Sequence, residues 1–343
     1  MRLDDRKFLI LQAIIDDYIT TAVPVGSRTI SRKNGVGFSP ATIRNEMSDL
    51  EELGYLAQPH TSAGRIPSAK AYRLYVDELM KRKELSPEET QRIQAHLNRR
   101  ASQVEDVIRE AAQVLSDVTQ YTAVVAAPML GNTQVRRIQF VPVTDTSALM
   151  IVVTSAGLVK DTLIRVPSGL TADHLYNISK MLTEQLQGHQ LSEVRGKLTD
   201  MYAGLSEHKQ LMNDVLDELD KQLGGARVPL AVGGRSNLLA YPEYSDVEKA
   251  KSFLSALESR DKLYPLLRQA GGVEFTVRIG PENETPEFSD CSVVTATYRV
   301  GDHTAGTMGI IGPTRMDYAR VVSVMNYMGQ AIGKLLSGGP DKK

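Results

Sequence analysis

Apolar residues in the first part of the chain recur every three or four positions, in segments separated by turn residues. Residues 6–20 carry one such stripe, and Val23-Pro24 follows it. This spacing places the apolar side chains on one face and predicts an amphipathic helix. Two further helices are predicted, a short one that begins with Ser27 as its N-cap and one that begins at Ser39-Pro40 and ends at Gly54.

A short hairpin and a fourth helix complete the predicted N-terminal domain. Residues 55–58 read as a strand, 59–64 as a loop and Arg65-Ile66 as the returning strand. Pro67-Ser68 then begins another helix. Three helices, a hairpin and a fourth helix are the element order of a winged helix-turn-helix domain, to which we assign residues 1–83.

A long helix is predicted after this domain, and we assign residues 84–121 to it as a linker. Ser86 and Glu89 have the spacing of a capping box at its start. Its apolar positions form one seam, made of Ile93, Leu97, Val104, Ile108, Ala111, Leu115 and Val118. The pattern leaves open whether this seam packs on the same chain or on a second chain.

From residue 122 onward the pattern is mixed, which predicts an α+β multidomain protein. Branched residues in short runs indicate strands at 122–127, 135–143, 146–154, 158–166, 273–279, 292–300 and 304–311. Helices are predicted at 173–187 and 317–336. We assign 122–189 and 272–337 to one discontinuous α+β domain, 190–271 to a helix-rich insertion, and 338–343 to a disordered tail. The insertion is expected to contain helices at 206–223, 245–257 and 259–270, and a β pair near 228–230 and 237–239.

The third predicted helix carries the candidate functional site. Its apolar residues Ile43, Met47 and Leu50 share one face. The other side presents short or hydrogen-bonding residues, namely Ala41, Thr42, Arg44, Asn45 and Ser48. A recognition helix reads base edges in the major groove with such residues near its N-terminus, so we predict base contacts here.

Residues around this helix are candidates for contacts with DNA phosphates. They are the polar or basic residues of the second helix, the wing and the fourth helix: Ser27, Arg28, Thr29, Ser39, His60, Thr61, Ser62, Arg65, Lys70 and Arg73. The serines also fit a role as helix caps, and the arginines a role as solvated surface residues. A winged helix can also bind proteins. This pattern alone therefore favours DNA as the partner but leaves a protein partner open.

Composition restricts the other possibilities. The net charge is −1, so a nucleic-acid site must be a local patch. The single cysteine, Cys291, excludes an intrachain disulfide, and the six histidines have no metal-ligand spacing. We therefore expect no metal, no cofactor and no catalytic residues. The N-terminus has no signal-peptide pattern and no run is long enough for a membrane helix, so we expect a cytoplasmic protein without membrane contacts.

Several runs of residues closely resemble the HrcA-type heat-inducible transcription repressors. They are VPVGSRTIS at 23–31, SPATIRNEMSDLEELGYL at 39–56, PHTSAGRIPSAKAYRLYVDEL at 59–79, DCSVVTATYRVG at 290–301 and GTMGIIGPTRMDYARVVSVMNY at 306–327. The resemblance covers effectively the whole chain, although residues 190–271 match only loosely. Ala71 is a departure, because a glycine is expected before Tyr72.

The resemblance implies a function and a set of partners. It implies a winged helix, a GAF-like α+β domain and an inserted dimerising domain. It further implies that a homodimer represses chaperone (heat-shock) operons at an inverted-repeat operator in double-stranded DNA, and that the GroE chaperonin maintains its activity. The alternative is a repressor of the same architecture that responds to a small ligand through the GAF-like domain. An enzyme is not expected, because no catalytic signature is present.

Overall fold

The computed structural model describes residues 3–60, 63–80, 83–97, 104–128, 134–155, 159–190, 193–194, 196–197, 229–268, 275–300 and 303–336. These residues form an N-terminal helical unit, a separate three-stranded sheet with helical residues packed on it, and a five-stranded sheet between two helical layers. We refer to the described residues between 3 and 80 as the N-terminal unit.

The N-terminal unit has the element order that the sequence predicts. It consists of α1 (Asp5–Thr21), α2 (Ser27–Ser31), α3 (Pro40–Glu52), β1 (Leu56–Ala57), β2 (Ile66–Pro67) and α4 (Ala69–Leu74), which continues as a π-helical turn (Tyr75–Leu79). The two strands pair as an antiparallel hairpin. The helices pack around fully buried aliphatic residues, which include Ile10, Leu11, Ile14, Ile30, Ile43 and Leu50.

The predicted linker helix appears as α5 (Pro87–Leu97) and α6 (Val104–Thr119), which leads into β3 (Thr122–Ala126). The capping box is confirmed, because the Ser86 N–H donates to Glu89 and the Glu89 N–H donates to Ser86 Oγ. The apolar seam packs on its own chain. Ile93 and Leu115 are fully buried, in one continuous core that also contains residues of the N-terminal unit and of the sheet described below.

A three-stranded antiparallel sheet follows as a unit with its own core. It consists of β4 (Val135–Thr144), β5 (Ser147–Thr154) and β6 (Val159–Arg165), in that order. Helix α7 (Ala172–Leu186) covers one face, where Phe140 and Met150 pack with Leu182. The Phe140 N–H donates to Ser179 Oγ over 2.9 Å, which fixes the helix to β4.

The five-stranded sheet combines β3 with four later strands. They are β7 (Leu230–Gly233), β8 (Phe275–Ile279), β9 (Cys291–Val300) and β10 (His303–Pro313), and the order is β7-β3-β10-β9-β8. Every neighbouring pair is antiparallel. The described residues after β7 also form helices α8 (Val247–Glu258), α9 (Arg260–Arg268) and α10 (Tyr318–Leu336), with 3-10 turns at Asn237–Ala240, Pro242–Tyr244, Gly280–Glu282 and Pro286–Phe288.

Side chains of the five-stranded sheet alternate between two helical layers. Ala123 and Val125 belong to the core formed with α6 and α10. Val124 and Ala126 belong to a second core, which includes Phe253, Leu257, Leu263 and Leu266 of α8 and α9. Because both faces of the sheet are covered, its strands read as nearly continuous apolar runs in the sequence.

The structure divides this region differently from the sequence-based assignment. Residues 135–186, assigned to the main α+β domain, form the separate three-stranded unit, whereas β7, α8 and α9, assigned to the insertion, belong to the five-stranded sheet and its outer layer. The predicted β pair was also wrong, because β7 pairs with β3 and Asn237–Ala240 is a 3-10 helix. The predicted helix at 206–223 and the tail at 338–343 lie outside the described residues. A GAF-like character of this region stays a prediction.

The close approach of β7 to α6 gives a test of this topology. A Cβ at Gly233 would lie 2.2 Å from the Ala112 carbonyl oxygen. We expect Gly233→Ala to lower the free energy of unfolding by about 1–3 kcal/mol, because over-packing displaces the backbone. Chemical denaturation of the full chain measures the effect.

The control is Gly196→Ala, since a Cβ at this helical residue has no neighbour within 4 Å. That substitution should be neutral or slightly stabilising. If Gly233→Ala were as stable as the wild type, the placement of β7 against α6 would be wrong.

Candidate nucleic-acid interface

The start of α3 is fixed by local interactions that the sequence predicts. Ser39 is the N-cap and accepts a hydrogen bond from the Thr42 N–H over 3.1 Å, and Pro40 is the first helical residue. Ile43, Met47 and Leu50 are buried, so one face of the helix lies against the core of the N-terminal unit. The opposite face is therefore turned to solvent.

That solvent-facing side contains the predicted base-reading residues. Ala41, Arg44, Asn45 and Ser48 are exposed, whereas Thr42 is half-buried and its hydroxyl lies 2.9 Å from Ser39 Oγ. In the part of the chain that the structure describes, neither Arg44 nor Asn45 has a side-chain hydrogen bond or an ion pair. Their donors and acceptors are thus available to an external partner.

An ion-pair network under α3 was not anticipated from the sequence. Glu46 is 8% exposed and lies between Arg6 Nε at 3.2 Å and Lys7 Nζ at 2.7 Å. Lys7 Nζ is also 2.9 Å from Asp49. Hydrogen bonds with Glu46 and then Asp49 raise the pKa of Lys7. The network ties α3 to α1, and its sequence signal was the acidic residue between Ile43 and Leu50 on the apolar side.

Helix α2 presents two of its three predicted phosphate-contacting residues. Arg28 and Thr29 are exposed, but Ser27 is buried. The N-cap is Gly26, and Ser27 is the first helical residue without a capping hydrogen bond, so the prediction of Ser27 as N-cap was wrong. Glycine serves as a cap here because its extended conformation leads directly into the helix.

The wing is held to the segment before α2. Val25 and Arg65 exchange two backbone hydrogen bonds of 2.9 Å. The Arg65 side chain is half-buried and forms an ion pair with Glu51 over 2.7 Å, so its guanidinium is partly engaged. His60 is exposed at the start of the wing loop. Thr61 and Ser62 lie outside the described residues.

Lys70 and Arg73 contact the protein itself. Lys70 Nζ donates to the Leu53 carbonyl over 2.8 Å at the C-terminal end of α3, and lies 4.5 Å from the centre of the Tyr55 ring. Arg73 forms an ion pair with Glu282, next to the sheet. A phosphate contact by either residue stays a prediction, and it would require these contacts to open.

The acidic residues near α3 are largely neutralised by these ion pairs. Glu46 and Asp49 are paired with Lys7, and Glu51 with Arg65. Within the described residues, Arg28 and Arg44 have no acidic partner. Glu52 is exposed at the C-terminal end of α3, so the unpaired positive charge lies on α2 and the N-terminal half of α3, where it attracts a polyanion.

Other candidate chemistry is absent from the described residues. No group of three or more His, Cys, Asp or Glu there is placed to hold a metal ion. The helices described here include none that is long and apolar enough to cross a bilayer. Cys291 is fully buried, and burial raises the pKa of its thiol to about 12. It is a core residue rather than a nucleophile.

Comparisons with known proteins agree over the whole chain. A family model described as the HrcA protein C terminal domain matches residues 105–322. The heat-inducible transcription repressor HrcA of Ruminiclostridium cellulolyticum is 45% identical over 99% of this chain and 100% of that protein. The protein of the same name from Symbiobacterium thermophilum is 44% identical over 97% of this chain and 98% of that protein.

A solved structure supports the fold. It is described as a hypothetical protein at 2.2 Å resolution, and it superimposes with a TM-score of 0.65 at 24% identity. The match covers 98% of this chain and 99% of that one.

The N-terminal unit and these relatives define a transcription repressor that acts on DNA. The chain belongs to the HrcA family of heat-inducible transcription repressors, as the family model and the relatives at 44–45% identity show. This family acts in the heat-shock response and is not a family of enzymes. The resemblance inferred from the sequence is thereby confirmed.

Proposed function

We propose that the chain binds an inverted-repeat operator as a homodimer and reads its bases through α3. The exposed residues of that helix support this most, because Arg44 and Asn45 have no partner among the described residues. Arginine pairs with guanine O6 and N7, and asparagine with adenine N6 and N7. Ala41 permits a close approach, and the methyl group of Thr42 can contact a thymine.

Phosphate contacts would then come from the surfaces beside α3. Arg28 and Thr29 are exposed on α2, and Ser39 stands at the N-terminus of α3, where the helix end favours an anion. His60 and Arg65 belong to the wing. Each phosphate contact adds affinity without sequence preference, so these residues orient the unit while α3 selects the sequence.

The first functional prediction concerns Arg44 and Asn45. We expect Arg44→Ala and Asn45→Ala each to cost about 1–3 kcal/mol of binding at the operator and to relax base choice at one position. Genomic footprinting supplies the operator, and fluorescence anisotropy measures affinity for it and for variants with single base changes.

Arg109→Ala is the matched control, because Arg109 is an exposed arginine on α6, outside the N-terminal unit. It should bind as the wild type does. An equal loss of operator and non-specific binding in the α3 variants would contradict a role in reading bases.

A dimer is proposed because one unit reads only a short half-site. Joining two units makes the second contact intramolecular and raises affinity by about 10²–10⁴. The seam on α5 and α6 is buried within its own chain, so another surface is needed. Residues 198–228 of the predicted dimerising insertion lie outside the described residues, and the remainder after residue 229 packs on the five-stranded sheet.

The outward face of the three-stranded sheet suits this role, because apolar residues predominate on it and only Arg137, Gln139 and Asp161 interrupt them between the strand ends. Val141, Leu149 and Leu163 lie side by side on the three strands, and Leu163 is 61% exposed. Val153 and Val159 continue the surface. We call these residues, together with Ile151, the outer sheet face. A second copy of the chain would cover it symmetrically, as two-fold interfaces do.

We expect Leu163→Asp to weaken the dimer by about 2 kcal/mol or more, roughly thirtyfold in the dissociation constant, since it buries a charge in an apolar interface. Sedimentation equilibrium measures the change. Val247→Asp is the control, because Val247 is 63% exposed but lies on α8. A dimer unaffected by Leu163→Asp would move the interface to another surface.

We further propose that the GroE chaperonin maintains active repressor by assisting its folding. Residue 122 of β3 pairs with residue 311 of β10, so the central strand pair forms only after most of the chain is available. Such non-local pairing is slow and leaves apolar groups exposed meanwhile. Val293, Val294, Ile310, Ile311, Val321 and Val322, which are at most 1% exposed in the folded chain, would be among them.

Heat-unfolded proteins would compete for the chaperonin and so lower the amount of active repressor. We expect refolding from denaturant to recover little operator binding alone, and more with chaperonin and ATP. The measurement is operator affinity and active fraction after refolding at physiological temperature. Equal recovery with and without chaperonin would contradict the proposal and favour the ligand-responsive alternative.

A further inference from the structure

The N-terminal unit is attached to the rest of the chain through two arginines that lie on opposite sides of the junction. Arg73 belongs to α4 of the N-terminal unit and reaches Glu282, in the 3-10 turn after β8. Arg315 follows β10 and reaches the Ile19 carbonyl oxygen near the C-terminal end of α1, over 3.2 Å. Each unit thus contributes one arginine to the other.

Arg73 is held in one orientation by several acceptors. Its Nε donates to Glu282 Oε1 over 2.9 Å, and its Nη2 donates to Glu282 Oε2 and, over 2.6 Å, to the Val277 carbonyl oxygen. Nη1 donates to Asp77 over 3.2 Å. The two parallel bonds to one carboxylate define direction as well as distance, which a lysine cannot do.

Glu282 is also held in place by a contact within its own part of the chain. Its Oε2 accepts a hydrogen bond from the Ile279 N–H over 2.8 Å. Partial burial raises the pKa of Glu282, but the hydrogen bonds from Arg73 and from Ile279 outweigh that effect and leave the pKa lowered. The carboxylate is therefore ionised at neutral pH. It links α4 of the N-terminal unit to the edge strand of the five-stranded sheet.

Arg315 anchors the other side and is 9% exposed. Its Nε and Nη2 donate to the two carboxylate oxygens of Glu243, and its guanidinium lies 5.4 Å from the centre of the Tyr241 ring. The third contact is the α1 carbonyl, which lies in the helix end where partial negative charge accumulates. A buried cation is thus shared between α1 and the segment 241–243.

Two buried tyrosines, one from each unit, also pack against each other across the junction. Tyr72 is 1% exposed, and its ring centre lies 6.1 Å from that of the fully buried Tyr318. Ion pairs that are partly open to water add little binding energy by themselves. Together with this buried contact, however, they restrict the two units to one relative orientation.

The docked orientation leaves the DNA-facing side of α3 free. Arg44 and Asn45 remain exposed in the full chain. The junction therefore does not block α3. It can affect DNA binding only through the position in which it holds the N-terminal unit.

We propose that Arg73 and Arg315 are positioning residues that fix the N-terminal unit on the five-stranded sheet, so that the dimer selects operators with one spacing between half-sites. This inference rests on the proposed dimer and inverted repeat. A rigid dimer holds its two recognition helices at one separation, and each base pair added between the half-sites rotates one of them by about 35°. A loosely attached unit would tolerate several spacings.

The test uses the full chain and operators whose half-site spacing differs from the native one by two or three base pairs. The wild type should bind the altered operators about 10²-fold more weakly, because the second contact is lost. The ratio of affinities for the native and the altered operator should fall by about tenfold in Glu282→Gln and in Arg73→Lys. Affinity for a single half-site should stay unchanged in Glu282→Gln.

These variants separate positioning from a phosphate contact. Glu282 lies outside the N-terminal unit, so a changed spacing preference in Glu282→Gln cannot come from a lost DNA contact. Arg73→Lys keeps a positive charge for a phosphate but loses the paired hydrogen bonds. The double variant Arg73→Lys/Glu282→Gln should have the same spacing preference as either single variant, because both lose the same contact. Arg315→Lys should weaken the spacing preference independently. Glu248→Gln, an exposed acid on α8, is the control and should behave as the wild type.

Two results would overturn the inference. One is an unchanged spacing ratio in Glu282→Gln and Arg315→Lys, with the proposed function intact. The other is loss of single-half-site affinity in Arg73→Lys with normal spacing preference, which would assign Arg73 to DNA. A wild type that binds no inverted repeat would instead remove the proposed function, and this inference with it.

Discussion

The antiparallel pairing of β3 with β10 is the contact on which the rest of the structure depends. β10 lies in the middle of the five-stranded sheet, and β3 brings α6 to one face and β7 to the edge. Only when they pair do α6 and α10 form a common layer. That layer receives the N-terminal unit, so the position of α3 depends on two strands that are far apart in the sequence.

The local elements were predictable because each depends on a few neighbouring residues. The Ser39 cap, the capping box of Ser86 and Glu89, and most strands lie where spacing places them. Strand partners were not predictable. The period of a strand shows which of its faces is buried, but it does not identify the neighbouring strand. The sequence pattern therefore did not predict that residues 135–186 form a separate unit or that β7 pairs with β3.

The candidate interface shows the same limit for side chains. Helical geometry placed Arg44 and Asn45 on the exposed side of α3, because their direction depends only on the helix and its buried face. Arg73 looked equally available in the sequence. Its partner Glu282 is over two hundred residues away, so no local pattern reveals that the guanidinium is occupied. Glu46 was missed for the related reason that its two cationic partners lie on another helix.

The buried position of Cys291 has a consequence for the kinds of stress that this repressor can register. Oxidants attack the thiolate, and burial raises the pKa of this thiol to about 12, so the thiol is protonated at neutral pH. Its sulfur also lies 2.9 Å from the Tyr244 hydroxyl, inside the core under α8. Since the chain has one cysteine, no intrachain disulfide can form. While the core stays closed, oxidants therefore have little access to the thiol of this repressor.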